Sequence, residues 1–323
     1  MLPAIELDGP ALRANAAAFA ALGAPVAAVV KADGYGWGAR LLARELDDLV
    51  ESYLVADDDE LAALRSATTK PIRLLADAPP GRLDRVLALG GIPNVSTGPA
   101  VAEAAAAAAQ RGGLTVRVGV LDAAGWSTIR PADVPAFAAS LAAGGLAVEL
   151  WTHLIAPARN AALLAGFEAA RRTLLAAGVP VVGFDLASTA AARPALAADR
   201  LRIGIGLFGA RLGAPVATRC ALRVRGPLVR RYPPGELGWA GYGEVAVAGD
   251  RSVSVLRCGY GDGLPKTLAG SDDILSIGMQ YTTRATGEAA DVEELIGAAD
   301  DVDELAARAG MTPHELVVGL ARR

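Results

Sequence analysis

An α/β chain, built as a (β/α)8 TIM barrel followed by a smaller, mostly antiparallel β domain, is the fold this sequence predicts. Three observations lead there. Short apolar strand-like runs alternate with apolar-periodic helical stretches, the signature of parallel βα units. About eight such units fit into roughly the first 200 residues, enough to close a barrel, with an open doubly wound sheet as the alternative. From Pro215 the periodic helices stop, and β-type runs divided by turns such as Pro233-Pro234-Gly235-Glu236 take over. A boundary near Leu212 therefore gives an N-terminal domain, 1–212, and a C-terminal domain, 213–323.

Ala4–Asp8 reads as a short strand that pairs with the second domain, and Pro10–Leu22 as a helix with proline at its start and Gly23 past its end. The barrel strands are expected at Val26–Val30, Glu51–Ala56, Pro71–Leu75, Pro93–Ser96, Thr115–Val120, Leu146–His153, Val179–Leu186 and Leu201–Ile205. Helices follow the first seven, at Gly38–Leu49, Asp57–Ser66, Gly81–Leu89, Pro99–Arg111, Pro131–Ala143, Arg159–Ala177 and Thr189–Ala197. In the second domain the strands are Ala221–Leu228, Gly243–Val247, Ser252–Cys258 and Ile274–Ile277, ending in helices from Asp291 to Leu320.

Bulk properties narrow the function. The 323 residues suit one large and one smaller domain. Apolar residues are 53% but aromatics only 5%, so Ala, Val and Leu must build the core. A net charge of −4 gives no electrostatic footprint for nucleic acid or an anionic membrane. Pro, Gly and polar residues interrupt the apolar stretches, and Glu6 and Asp8 precede any basic residue, so neither a membrane span nor a signal peptide is expected. That predicts a cytoplasmic protein. Cys220 and Cys258 make no disulfide framework or metal cluster and read as small core residues.

The chemistry starts at Val26-Ala27-Ala28-Val29-Val30-Lys31-Ala32-Asp33-Gly34-Tyr35-Gly36-Trp37-Gly38. An apolar strand ends in a lysine, and an ammonium buried there is costly unless paired or neutral. Such an amine is a candidate Schiff-base nucleophile, though position alone favours a plain surface lysine. The glycines around Tyr35 tip the balance, because they let a ligand approach the backbone. Three other observations fall at strand ends, where barrel enzymes place their chemistry: His153 after the sixth strand, Ser188 after the seventh, and Arg202-Ile203-Gly204-Ile205-Gly206 on the eighth. A hydroxyl and glycine amides at a helix N-terminus make an anion pocket. By sequence alone Ser188 reads rather as a plain helix N-cap, and Gly204 and Gly206 read also as packing room; His153 could be a core histidine, but its strand-end position favours a site.

Lys31-Ala32-Asp33-Gly34-Tyr35-Gly36-Trp37-Gly38 resembles the cofactor-lysine motif of the alanine racemase family, fold-type III pyridoxal phosphate enzymes, with Asp33 and Trp37 where that family usually has Asn and His. Arg257-Cys258-Gly259-Tyr260-Gly261-Asp262-Gly263 resembles its Gly-Tyr-Ala-Asp-Gly segment, and the likeness extends over nearly the whole chain. The resemblance implies a pyridoxal 5'-phosphate-dependent amino-acid racemase or epimerase, an isomerase working as a homodimer with shared active sites. It implies that Lys31 carries the cofactor, that Tyr35, Ser188, Gly204 and Ile205 hold its phosphate, and that His153 packs at its ring. Arg202, in Leu201-Arg202-Ile203-Gly204-Ile205, would face the pyridine nitrogen and donate to it, since a guanidinium keeps its proton. Tyr260, from the neighbouring subunit, would be the base opposite Lys31, with His153 and Arg202 lowering its pKa from about 10.

The fifth strand departs from the family. Where the family reads Lys-Val-Asp-Thr-Gly-Met-Gly-Arg, this chain has Gly119-Val120-Leu121-Asp122-Ala123-Ala124-Gly125-Trp126, so Trp126 stands at the substrate-carboxylate arginine and Gly119 at the lysine. Arg130 is a nearby substitute. Met279 and Gln280 match the family's Met-Asp segment, with Gln280 for the aspartate, and Ala187 replaces an asparagine beside Ser188. Trp126, Met279 and Gln280 are therefore the expected substrate contacts, and the substrate an amino acid or amine other than plain alanine. A lyase, a decarboxylase or a non-catalytic cofactor-binding homologue are the alternatives. His314 is expected on the surface of a C-terminal helix.

Overall fold

The computed structural model describes residues 2–121, 126–154, 157–186, 188–194, 196, 198–241, 245–270, 273–286 and 290–321. Strand β1 (Ala4–Leu7) leads into the helix Gly9–Ala20, whose first turn is fixed by the Asp8 carboxylate accepting from the Ala11 N–H at 3.0 Å. Eight parallel strands then close into a barrel: β2 (Val26–Val29), β3 (Ser52–Val55), β4 (Ile72–Asp77), β5 (Gly91–Asn94), β6 (Leu114–Gly119), β7 (Leu146–Trp151), β8 (Val181–Leu186) and β9 (Arg200–Ile203). The ring shuts where Val26 of β2 registers with Leu201 of β9. Val26, Ala27 and Ala28 are fully buried, as a strand with helices outside and a filled barrel inside must be.

The barrel interior is not wholly apolar. Arg73, Arg117, Glu149, Asp185, Arg200 and Arg202 are buried within it. Arg73 Nε meets Glu149 at 2.6 Å, Arg117 Nη2 meets Asp185 at 2.9 Å, and Arg200 meets Glu149 at 3.4 Å. Charges this deep survive only because each has an opposite partner.

The second sheet runs β1-β10-β13-β15-β14, with β16 also on β10. Its strands are β10 (Leu222–Tyr232), β13 (Ser252–Leu256), β14 (Ile274–Ile277), β15 (Thr282–Thr286) and β16 (Val292–Ile296), and a small hairpin joins β11 (Trp239–Ala240) to β12 (Val245–Ala246). β1 pairs antiparallel with β10, as expected of the opening strand. Two expectations fail. Val292–Ile296 is a strand, not the start of a helix: Glu293, Leu295 and Ile296 are buried while Val292 and Glu294 are exposed, nearly the period-2 alternation of a half-buried strand. Of the expected helix Thr189–Ala197, the described residues form only the 3₁₀ turn Thr189–Ala191, because Pro194 cannot donate into a second turn.

The helices Val302–Arg308 and Pro313–Ala321 end the described chain. The second packs back on the lysine-bearing turn, where Trp37 Nε1 donates to the Val317 carbonyl at 3.0 Å. Cys220 and Cys258 are both buried, and neither forms a disulfide among the described residues. Among the described residues, no helix is long and apolar enough to cross a membrane.

Candidate active site

A cavity of about 510 Å³ opens at the carboxyl ends of the barrel strands. Lys31, Tyr35, Trp126, His153, Ser188, Arg202, Gly204 and Ile205 all line it, so eight of the residues singled out from sequence converge.

Lys31 begins a turn that winds the wrong way. Ala32, Asp33, Gly34 and Tyr35 have φ of 54°, 49°, 65° and 60°. Only the glycine adopts this freely, and each other residue costs about 1–2 kcal/mol. Hydrogen bonds hold the turn: Gly34 N–H to Val30 O and Gly36 N–H to Ala32 O, both at 2.8 Å, while the Asp33 carboxylate accepts from Ala39 N–H at 2.8 Å. An aspartate tolerates the left-handed region better than most residues. The turn lifts Lys31 off the strand axis, and its side chain is exposed. The expectation of a desolvated lysine is thereby corrected.

Tyr35 is buried, its ring edge-on to Phe208 at 5.4 Å and tilted to His314 at 6.1 Å. Burial pushes its phenol pKa above the ordinary value, so it stays a donor. A β-carbon on Gly204 would overlap the Tyr35 hydroxyl and lie 3.1 Å from its Cζ, so a glycine is required there. Ser188 stands at the N-cap of the 3₁₀ turn Thr189–Ala191, but its side chain does not cap it; the hydroxyl donates instead to the Leu154 carbonyl at 2.9 Å. The Gly206 amide is taken by Thr189 Oγ1 at 3.1 Å. His314 also lines this end of the cavity, against the expectation of a plain surface histidine. Desolvation and the nearby Lys31 lower its pKa.

Across the cavity, Arg202 Nε is ion-paired to Asp185 at 2.7 Å, and Nη2 donates to the Thr152 carbonyl. Burial lowers the Arg202 pKa to about 10 against the pull of Asp185, which leaves it charged at neutral pH. His153 is pushed down to about 3 by burial, then by the charges of Arg202 and Lys31 and by His314, so the imidazole is neutral.

The remaining wall includes Trp126, Ser127, Leu75, Ala76 and Trp151. The Trp126 ring lies 4.9 Å from that of His153, centroid to centroid. A β-carbon on Gly119 would run into the Trp151 indole and lie 2.8 Å from Thr128 Cγ2, so Trp151 fills the space a longer side chain at 119 would need. Trp151 Nε1 donates to Asn94 Oδ1 at 2.8 Å; Asn94 Nδ2 in turn reaches Asp77 at 2.7 Å and the Ser127 carbonyl at 2.9 Å. Arg130 does not replace a clamp arginine: it is exposed and paired to Asp133 at 2.8 Å. Ala187 and 122–125 lie outside the described residues.

Within one chain, Tyr260, Met279 and Gln280 do not line this cavity. They form a separate turn cluster, with Tyr260 N–H on Gly278 O at 3.0 Å, Gly261 N–H on Met279 O at 2.8 Å, and Arg257 joined to Gln280 O and Asp262. Tyr260 and Met279 are 41% and 58% exposed, side chains presented outward rather than folded into their own subunit. Sequence reasoning missed Asp185, Asn94, Trp151 and Thr189. For Asp185 a signal existed, an acid inside the apolar run Val181–Leu186 of a parallel strand.

Residues 7–212 match the family described as alanine racemase, N-terminal domain. Over 98% of its length the chain is 31% identical to an alanine racemase of Desulfovibrio desulfuricans, covering 95% of that protein. The alanine racemase of Acinetobacter baumannii superposes over 100% of this chain and 98% of its own, with a TM-score of 0.82 at 19% identity. That of Bartonella henselae, solved with covalently bound pyridoxal phosphate, covers 99% and 97% with a TM-score of 0.80 at 18% identity. These two share the barrel and second-domain fold, while the family match and the Desulfovibrio relative settle kinship: the chain belongs to the alanine racemase family.

Proposed function

We propose that this protein is a pyridoxal phosphate-dependent amino-acid racemase or epimerase of the cytoplasm, working as a homodimer. The observation that carries this reading is the convergence of Lys31, Tyr35, His153, Ser188, Arg202, Gly204 and Ile205 on one cavity. These residues fit the cofactor. An exposed amine and a buried phenol line the same cavity, the phenol held against a glycine that leaves no room for a side chain. Pyridoxal phosphate, when bound, supplies an aldehyde for amines and an electron sink that acidifies the substrate α-hydrogen.

Lys31 holds the cofactor and exchanges a proton at the substrate α-carbon from one face. Tyr260 of a second copy does so from the other. Tyr35, Ser188 and the Gly204 and Ile205 amides hold the phosphate; Ser188 must turn its proton from Leu154 to do so. Arg202 donates to the ring nitrogen without giving up its proton, which leaves a weaker sink and favours reprotonation over transamination. Neutral His153 packs at the ring. With an indole at 126 and Arg130 engaged elsewhere, the substrate is an amino compound other than plain alanine, bulkier or without a free carboxylate; Met279 and Gln280 of the second copy complete its site.

Deuterium wash-in at the α-carbon over a panel of amino acids and amino-acid amides, with chiral analysis, tests the reading. Exchange with inversion is expected. Exchange without inversion turns it toward a lyase or decarboxylase, and no exchange toward a cofactor-binding homologue. Mixing inactive Lys31→Ala and Tyr260→Phe chains restores activity if the sites are shared, and leaves none if they are not.

A further inference from the structure

The arginine that lines the cavity does not stand alone. Its Nε is 2.7 Å from Asp185, a carboxylate with no exposed surface. Arg117, from the middle of the barrel, places Nη2 at 2.9 Å from both oxygens of the same carboxylate. Arg117 is anchored in turn by the Leu74 carbonyl at 2.8 Å, and both guanidiniums lie over the Trp151 ring, at 5.3 and 4.8 Å from its centroid. Two cations packed on one indole repel unless an anion sits between them.

We propose that Asp185 is a positioning residue for Arg202: it locks the cavity arginine to the rigid barrel core and fixes which of its nitrogens faces the ligand. Asp185 holds Nε in an ion pair and the Thr152 carbonyl accepts a hydrogen bond from Nη2, while Nη1 has no protein acceptor among the described residues. A guanidinium is a planar fork, so restraining two nitrogens sets the direction of the third. Without Asp185 the guanidinium keeps only the Thr152 contact and is pushed by Arg117. The inference rests on the proposed function, because the group to be met by Nη1 is the ring nitrogen of pyridoxal phosphate.

The test pairs Asp185→Asn with Arg117→Gln, which removes one negative and one positive charge together and keeps the core balanced. Apoprotein is titrated with pyridoxal phosphate and followed by absorbance from pH 6 to 10. The double variant should bind about tenfold more weakly or worse, as expected when a charged hydrogen bond is misaimed, and its absorbance band should respond to pH differently from the parent's. Arg117→Gln alone keeps the Asp185–Arg202 pair and should retain the parent spectrum. Affinity within about twofold and a superimposable spectrum in the double variant overturn the inference, a loss too small for a misaimed charged bond. Asp185→Glu keeps the charge but shifts it by one methylene, and decides by the same readouts if the double variant does not fold. A parent chain that binds no pyridoxal phosphate defeats the proposed function instead, so the two failures are distinguishable.

Discussion

The indole of Trp126 lies over the imidazole of His153, with centroids 4.9 Å apart and planes inclined at 52°. In the register read from the sequence, Trp126 takes the place of the family's substrate-carboxylate arginine, and it is half exposed where it lines the cavity. Trp126→Arg should therefore raise turnover of alanine. A charged hydrogen bond to the carboxylate contributes about 1.5–3 kcal/mol, or roughly 10–100-fold in kcat/KM. Neutral His153 beside it adds no repulsion. Chiral analysis of alanine reads the change, and an unaltered rate counts against the alignment of this strand.

His153 makes stability depend on pH. Its folded pKa, about 3, lies below the ordinary 6.5, because burial disfavours the imidazolium. Above pH 6.5 neither folded nor unfolded chain protonates this group, and it costs nothing. As pH falls below 6.5 the unfolded chain takes a proton the folded chain refuses, and stability drops by about 1.4 kcal/mol per unit. Stability of the apoprotein from urea unfolding should fall between pH 6.5 and 5 with this contribution plus that of His314, whose pKa is also lowered, and His153→Gln should make the fall shallower. Equal slopes in both proteins refute the assignment.

Much of this was legible in the chain because the informative residues sit at strand ends. Lys31, His153 and Ser188 each follow or close an apolar run, Arg202 lies near the end of the last strand, and a barrel gathers such ends on one rim. What was not legible depends on partners far apart in sequence. Asp185 meets Arg117 across the barrel, and each strand alone shows only a stray charge. His314 reaches the cavity because Trp37 binds the last helix to the lysine turn, a contact across 280 residues. The left-handed turn at Ala32–Tyr35 breaks local preference at three non-glycine residues, so no propensity argument finds it.

Gly204 and Tyr35 fix each other. A methyl on residue 204 overlaps the phenol oxygen and comes to 3.3 Å from Val29 Cβ. Gly204→Ala should cost about 1–3 kcal/mol as overpacking, and should weaken pyridoxal phosphate binding through displacement of Tyr35. Removing the hydroxyl makes room, so Tyr35→Phe should recover most of the stability in the double variant. Denaturant midpoints of the two single variants and the pair measure the coupling. Additive losses would mean that the two residues do not meet as described.

Asn94 is the joint on which the Trp126 wall is mounted. It is almost fully buried and uses its whole amide: the oxygen accepts from Trp151 Nε1 at 2.8 Å, and the nitrogen donates to Asp77 at 2.7 Å and to the Ser127 carbonyl at 2.9 Å. Asp77 is tied further to Ser96, whose N–H and hydroxyl it accepts at 2.9 and 3.0 Å. Asn94→Ala strands the indole N–H and the Ser127 carbonyl in the interior, and each unpaired buried group costs about 1–3 kcal/mol. Asn94→Asp keeps the acceptor for Trp151 but loses the donor and sets a second carboxylate against Asp77. Both variants should be less stable. Because Ser127 adjoins Trp126, both should also raise KM for the preferred substrate more than they lower kcat. A variant that melts earlier with an unchanged KM would show that the joint supports the barrel alone, and that Trp126 holds its place over His153 without it.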